Sequence, residues 1–320
     1  VSTASVIIAT YNRASLLDEC LQHLARQAFV PGDTVLIADN GSTDHTSAVV
    51  AGHASRFPVP LTRIPVATPG KSHAVSAALR MATGDIVALT DDDVNVSTRW
   101  LSQLKRGLSD SRVGLVGGPV DPRWERPAPA WLQVAGRGRL GAPLGLLDYG
   151  PEAASLGPRS LLGANMAVPR ALLVQLGGYA THLGKLRGTL LSGEDHDLCQ
   201  RVQAAGYAAH YLPDIRVQHW VPTTRMRLSY FLRWFYWSGI TNATLDAGPA
   251  AGRARPGVPA HLVRLFAGGV LGLTASALRG QAAAAVDRSL DSAFAAGYAA
   301  CRLGLVTAGA PASSTTARRA

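Results

Sequence analysis

Apolar positions in the first hundred residues come in short, unbroken runs separated by stretches of helical periodicity. Ser5 to Thr10 (SVIIAT) and Thr34 to Asp39 (TVLIAD) show no alternation, which is the pattern of strands covered on both faces of a parallel sheet. Between them Leu16, Leu17, Cys20, Leu21 and Leu24 recur on one helical face. Asn40-Gly41 stops the second strand, and Thr43 or Asp44 is placed to cap a helix running toward Ala54. A short strand near Leu61 to Ile64, a helix over Lys71 to Ala82 and the run DIVALTDDDV at 85–94 complete a βαβαβ rhythm. That rhythm predicts a mixed, mostly parallel α/β sheet with helices on both faces.

Val113 to Gly118 adds a strand, after which the pattern loosens into a Pro-, Gly- and Arg-rich stretch over 119–160, expected to be a functional loop. Gly136-x-Gly138-x-x-Gly141 within it spells a dinucleotide fingerprint, but no strand leads into it. Regular structure is expected again at Asn165 to Val168, Arg170 to Leu176, Glu194 to Gly206, Ala208 to Leu212 and Ile215 to Trp220. Beyond Pro222 only helices are legible. The chain therefore divides on paper into an α/β domain at 1–222, a helical extension at 223–309 and a disordered tail at 310–320.

Composition narrows the partners. The 320 residues are 47% hydrophobic and only 16% charged, yet carry a net charge of +10. Such a balance favours anionic partners such as nucleotide diphosphates or acidic lipid surfaces. No nucleic-acid motif accompanies it, so nucleic acid is not expected as a partner. Cys20, Cys199 and Cys301 lie far apart without CxxC spacing, and neither a signal peptide nor a run of 18 apolar residues is visible, so a reduced, cytoplasmic protein is expected. Six of the aromatic residues fall between Tyr230 and Trp237, which suits either an interfacial helix or one packed on the rest of the protein. Leu265 to Leu278 is apolar but too short to span a bilayer, and carries Gly268-x-x-x-Gly272. Peripheral contact with the inner membrane face through 225–280 and a helical homodimer interface are both open on these features.

Candidate chemistry gathers in three places. Asp91, Asp92 and Asp93 end a buried strand, and alternation lets Asp91 and Asp93 share a target; hard oxygen donors of this kind suit Mg²⁺ or Mn²⁺. The competing reading is a surface turn capping a helix at Ser97 or Thr98. Ser192-Gly193-Glu194-Asp195-His196-Asp197 opens a helix, where carboxylates suit the dipole but also suit a general base at a cleft edge. His219 ends a short strand and gains meaning only if it meets Asp93.

The order SVIIATYNRASLL, IADNGSTDHT, GDIVALTDDDV, GANMAVPR, SGEDHDLCQRVQAAGY and VQHWVP strongly resembles the glycosyltransferase family 2 proteins of the GT-A fold, over roughly residues 4 to 222. The resemblance implies a nucleotide-binding half at about 1–118 and an acceptor half at 119–222. It implies that Thr10, Tyr11, Asn12 and Arg13 line the nucleotide pocket, that Asp39 contacts the base, and that Asp92 belongs to the donor site. Asp93 would hold Mn²⁺ or Mg²⁺ with His219, and Asp91 would face the ribose or the metal's water. Asp195 would be the base and Glu194 would position the acceptor; Asn165 would lie at the acceptor side of the sugar, unless it only satisfies backbone groups at a strand edge. Gly70-Lys71-Ser72-His73 departs from relatives that carry an Asn where this chain has Ser76, although Lys71 still offers charge to a diphosphate. The implied activity is metal-dependent, inverting transfer from a nucleotide-sugar, a UDP-sugar, to a saccharide, lipid-linked or natural-product acceptor. A sugar nucleotidyltransferase or a non-catalytic nucleotide-binding scaffold is the alternative.

Overall fold

A computed structural model describes residues 2–132, 138–186, 188–247, 257–278 and 281–306. The chain forms two compact units, one of 1–128, 133–181 and 194–223, the other of 129–132, 182–193 and 224–320.

The first unit begins with β1 (Ala4–Thr10), α1 (Ala14–Leu24), β2 (Thr34–Asp39), α2 (Thr46–Ala54), β3 (Leu61–Pro65), α3 (Lys71–Leu79) and β4 (Ile86–Asp91). It continues through β5 (Val94–Val96), α4 (Trp100–Gly107), β6 (Val113–Gly117), β7 (Val120–Trp124), α5 (Gly138–Gly141), β8 (Ala154–Ser155), β9 (Asn165–Pro169), α6 (Arg170–Gln175), α7 (Glu194–Ala204), β10 (Ala208–Tyr211) and β11 (Val217–Val221). An eight-stranded sheet has the order β3-β2-β1-β4-β9-β6-β10-β8, and a three-stranded sheet the order β5-β11-β7. β1 pairs in parallel with both β2 and β4, β2 with β3 and β6 with β10, while β9 runs antiparallel to β4 and β6. The unbroken apolar runs are explained by burial on two sides. Val6, Ile8, Val35, Ile37 and Ala88 face one core, whereas Ile7, Leu36, Ala38, Val87 and Leu89 face the other.

Two local expectations change. Residues 119–160 are not irregular at their start, because β7 pairs in parallel with β11. Pro122 hid that strand; it is tolerated because β7 is at an edge. After Asp91 the chain does not run on into a capped helix either. Asp92 and Asp93 form a turn into β5, and α4 starts at Trp100 without a side-chain cap, which removes the reading of the aspartates as a capping turn.

The second unit holds α8 (Leu228–Ala247), α9 (Ala260–Leu278) and α10 (Ala282–Arg302). The aromatic cluster points mainly inward: Phe231, Phe235 and Trp237 are buried, and Trp131 meets Phe231 edge-on at 5.1 Å. α8 and α10 cross at two glycines, since a Cβ on Gly239 would overlap the Phe294 carbonyl and one on Gly297 the Tyr236 carbonyl. Of the expected glycine pair on α9, Gly272 meets Arg288 of α10 and Gly268 does not. Gly268 faces open space, while Gly269 meets Arg288 and Ser292 of α10. Gly297→Ala should destabilise this unit by about 1–3 kcal/mol or more, because the obstacle is backbone that cannot rotate away. Chemical denaturation reads the effect, and a change below about 0.5 kcal/mol would mean that the helices separate freely. The expected tail at 310–320 and Gly136 of the fingerprint lie outside the described residues.

Candidate active site

The carboxyl ends of β1, β2 and β4 are adjacent by register, with Thr10 opposite Asp39 and Ala9 opposite Asp91. Open α/β sheets bind ligands at such edges. Asn12 adopts a left-handed backbone at φ 51°, a conformation asparagine tolerates better than most residues. Its Oδ1 accepts the Thr43 N–H at 2.7 Å and its own N–H donates to Ser42 Oγ at 3.0 Å, so the turns after β1 and β2 are tied together. Tyr11, in the same turn, is exposed. Asp39 is fully buried, accepting the Ser42 N–H at 2.9 Å and the Arg63 Nε–H at 2.8 Å. Burial opposes its charge, but these donors outweigh it and hold the carboxyl below the ordinary range.

The three aspartates do not share one target. Asp91, at the end of β4, pairs with Lys71 Nζ at 2.6 Å. Asp92 is buried between the Thr10 hydroxyl at 2.7 Å and Arg13 Nη1 at 3.0 Å. Arg13 Nη1 also donates to Asp93 Oδ2 at 2.6 Å. The alternation that would have paired Asp91 with Asp93 fails because the strand ends and the turn redirects the last two side chains. Burial and the neighbouring aspartates push Asp92 up to about 6, against the pull of Arg13 and Thr10. Arg13 is itself held firmly charged, since the aspartates outweigh its burial.

His219 does meet Asp93. Its Nε2 lies 3.3 Å from Asp93 Oδ1, both side chains are buried, and among the described residues its Nδ1 has no hydrogen-bond partner. Gly145, at φ 70°, lies under the imidazole, where a Cβ would come within 3.2 Å of the ring. Among the described residues no group of three His, Cys, Asp or Glu side chains is gathered to hold a metal ion. The Asp93–His219 pair nonetheless fits one edge of a divalent site. Adjacent ligands on an octahedral ion with bonds of about 2.1 Å stand roughly 3 Å apart, and hard ions that bind nucleotides take their remaining ligands from phosphate oxygens and water. Arg13 takes the other Asp93 oxygen, so Oδ1 is turned toward the imidazole.

The second acidic group opens α7. Asp195 Oδ2 accepts the Gly163 N–H at 2.8 Å and Oδ1 the Tyr179 hydroxyl at 3.1 Å. A side chain at position 163 would intrude on this carboxylate, with a Cβ 2.7 Å from Oδ1. Burial raises the Asp195 pKa, and Asp91 adds to it, against Lys71 and the two donors. Glu194 is buried beside it. Lys71 is the link between the two acidic groups: despite burial, Asp91, Asp195 and Glu194 together hold its pKa well above the ordinary value. Gly70, at φ 128°, donates its N–H to Asn40 Oδ1 at 2.8 Å, which fixes the turn that launches Lys71 into α3.

Asn165 stands apart from this cluster. Its Oδ1 accepts the Trp100 indole N–H at 2.9 Å, and its Nδ2 donates to the carbonyls of Pro119 and Ile215 at 2.9 and 2.5 Å. With the side chain fully buried and these three bonds internal, the contacts favour the strand-edge reading. Tyr179 and Gly145 are not singled out by the sequence, and Asn40 is marked there only as a strand stop. Tyr179 follows an ordinary Gly-Gly turn, and nothing in its spacing marks it as a partner of Asp195.

Comparison with known proteins agrees with this geometry. The profile of Glycosyltransferase like family 2 matches residues 3–236. The chain is 23% identical over 247 residues to glucosyl-dolichyl phosphate glucuronosyltransferase of Haloferax volcanii, spanning 76% of this chain and 77% of that protein. It is 28% identical over 248 residues to succinoglycan biosynthesis protein ExoM of Rhizobium meliloti, spanning 77% and 75%. Mannosyltransferase PcManGT from Pyrobaculum calidifontis, solved in complex with GDP-Man and Mn²⁺, shares the fold with a TM-score of 0.61 at 23% identity, over 93% of this chain and 86% of that one. TarS 1-349 of S. aureus, solved with UDP, does so with a TM-score of 0.51 at 15% identity, over 94% and 92%. The chain belongs to glycosyltransferase family 2 and is a glycosyltransferase of the GT-A fold.

Proposed function

We propose that this glycosyltransferase moves a sugar with inversion from a nucleotide-sugar, a UDP-sugar, to an acceptor hydroxyl, assisted by Mn²⁺ or Mg²⁺ and with Asp195 as general base. The observation that carries the reading is the placement of Lys71, which bonds Asp91 at the sheet edge and acts electrostatically on Asp195 and Glu194 at the head of α7. A cation between a nucleotide-facing carboxylate and a candidate base is suited to a diphosphate leaving group flanked by an attacking hydroxyl.

In this reading the turn Thr10 to Arg13 and Asp39 frame the nucleotide, with Arg63 orienting Asp39. Asp93 and His219 hold the cation, which when bound neutralises charge on the departing diphosphate. Asp91 serves the donor through Lys71, and Asp92 supports the turn from within. Asp195 takes the proton of the acceptor hydroxyl as its oxygen bonds to the anomeric carbon; the bond from that carbon to the diphosphate breaks, and the electron pair leaves with the nucleotide. Attack from the face opposite the leaving group inverts the centre. Glu194 stands beside the incoming hydroxyl. The Haloferax relative is named for a glucosyl-dolichyl phosphate, which supports a lipid-linked saccharide as acceptor. Neighbouring structures hold UDP, UDP-GlcNAc or GDP-Man, so they support a nucleotide-sugar without fixing the base.

Isothermal titration with a panel of nucleotide diphosphates and nucleotide-sugars, with and without Mn²⁺, tests the proposal. One nucleotide should bind in a metal-dependent manner. Binding of none by the folded protein would leave a scaffold without transferase chemistry.

Tyr179→Phe gives a pH-dependent test of the base. The phenol stabilises the ionised form of Asp195, so its loss raises the carboxyl's pKa further. Because the base works ionised, activity should fall away at higher pH on the acid side of the profile than in the wild type, and should recover as pH rises. A uniform loss at every pH would assign Tyr179 a packing role only.

A further inference from the structure

The net charge of the chain is confined to one unit. The helical unit carries 13 Lys and Arg against only Asp246, Asp287 and Asp291, a balance of +10 that equals the charge of the whole protein. The α/β unit is therefore neutral overall. No acidic residue occurs between Asp246 and Asp287, the interval that contains α9.

α9 is apolar on two faces. Leu262 and Gly269 are buried in the unit, the latter against α10. Flanking that buried edge, Val263, Phe266 and Val270 at i, i+3 and i+7 turn outward with Leu271 beyond them, and they are 55%, 46%, 44% and 71% exposed. Arg264 is exposed beside them. Among the described residues no helix is long and apolar enough to cross a membrane.

We propose that this outer face of α9 docks on an anionic lipid bilayer surface, with the stripe entering the headgroup boundary and the basic unit held by acidic headgroups. An exposed apolar stripe on a helix that carries no acidic residue, within a unit of strong net positive charge, is the composition of interfacial helices, and neither feature alone would suffice. A second copy of the chain is a poorer occupant, because pairing two such faces brings two strongly positive units together. The face differs from the one suggested by the aromatic run, since Phe231, Phe235 and Trp237 are buried. The inference does not depend on the donor, the metal or the base.

Co-flotation of the full chain with phosphatidylcholine vesicles, with and without phosphatidylglycerol, tests it. Wild type should float with the acidic vesicles, less so in high salt, and the double variant Val270→Asp, Leu271→Asp should lose about tenfold or more of that partitioning while keeping its melting temperature. Arg264→Glu should weaken flotation without touching the apolar stripe. Absence of flotation, or equal flotation on neutral vesicles, would overturn the proposal. A wild-type dimer in solution that the double variant converts to monomer would overturn it as well, and would assign the face to self-association.

Discussion

Asp195→Asn is expected to lower the rate of glycosyl transfer by about 10²–10⁴-fold while leaving donor affinity within about twofold. The side chains have nearly the same shape, so the change tests charge and basicity. The amide oxygen can still accept from the Gly163 N–H or the Tyr179 hydroxyl, but the amide cannot take a proton from an incoming alcohol. Donor affinity should survive because the contacts assigned to the nucleotide, Asp39 and the turn Thr10 to Arg13, touch neither Asp195 oxygen. Single-turnover transfer with saturating donor, together with titration of the donor alone, separates the two quantities. Equal loss of binding and transfer would remove Asp195 from the role of base, and unchanged transfer would move the base elsewhere.

Raised basicity and restraint come together at Asp195 for one reason. The carboxylate is packed where water solvates it poorly, which lifts its pKa, and two donors keep it in a fixed orientation. Lys71 opposes that lift. The same lysine ties the donor edge to the acceptor side, which makes Lys71 a residue whose loss should disturb both.

The strands of the sheet were legible because burial on two faces leaves unbroken apolar runs, as at Val6 to Ile8 and Val35 to Ala38. β7 was not, since an edge position imposes no apolar pattern and admits Pro122. Charge clusters were legible as clusters, but their pairings were not. That Arg13 takes both Asp92 and Asp93 depends on a turn three residues past β1 meeting a turn 80 residues later, and spacing carries no trace of that meeting. Asn165 shows the reverse limit. Its motif is informative about the fold, yet its side chain holds Trp100 and two carbonyls together, and only the three-dimensional hydrogen bonds distinguish that duty from substrate contact. The cysteines illustrate how burial settles reactivity: Cys20 is buried near the aspartates and Cys199 is pushed up to about 12, chiefly by burial, so neither is disposed to act as a thiolate.

Asp93→Ala is expected to abolish the Mn²⁺-dependent part of nucleotide binding without lowering the melting temperature. The two outcomes follow from the same geometry. Removal of the carboxylate deletes the oxygen facing His219 Nε2 and leaves an imidazole alone as a protein ligand, too weak a site for a hard divalent ion. Stability should hold because Arg13 keeps Asp92 as its partner, and Asp92 loses a like charge that now pushes its pKa up. Arg13→Ala should behave in the opposite way: it strands the buried Asp92 and Asp93 without their shared, partly exposed cation and should lower the melting temperature clearly. Thermal melts of both variants beside titration of nucleotide with and without Mn²⁺ distinguish a ligand from a support. If Asp93→Ala kept metal-dependent binding, the cation would have to be held elsewhere. If it melted as low as Arg13→Ala, the carboxylate would count as part of the scaffold.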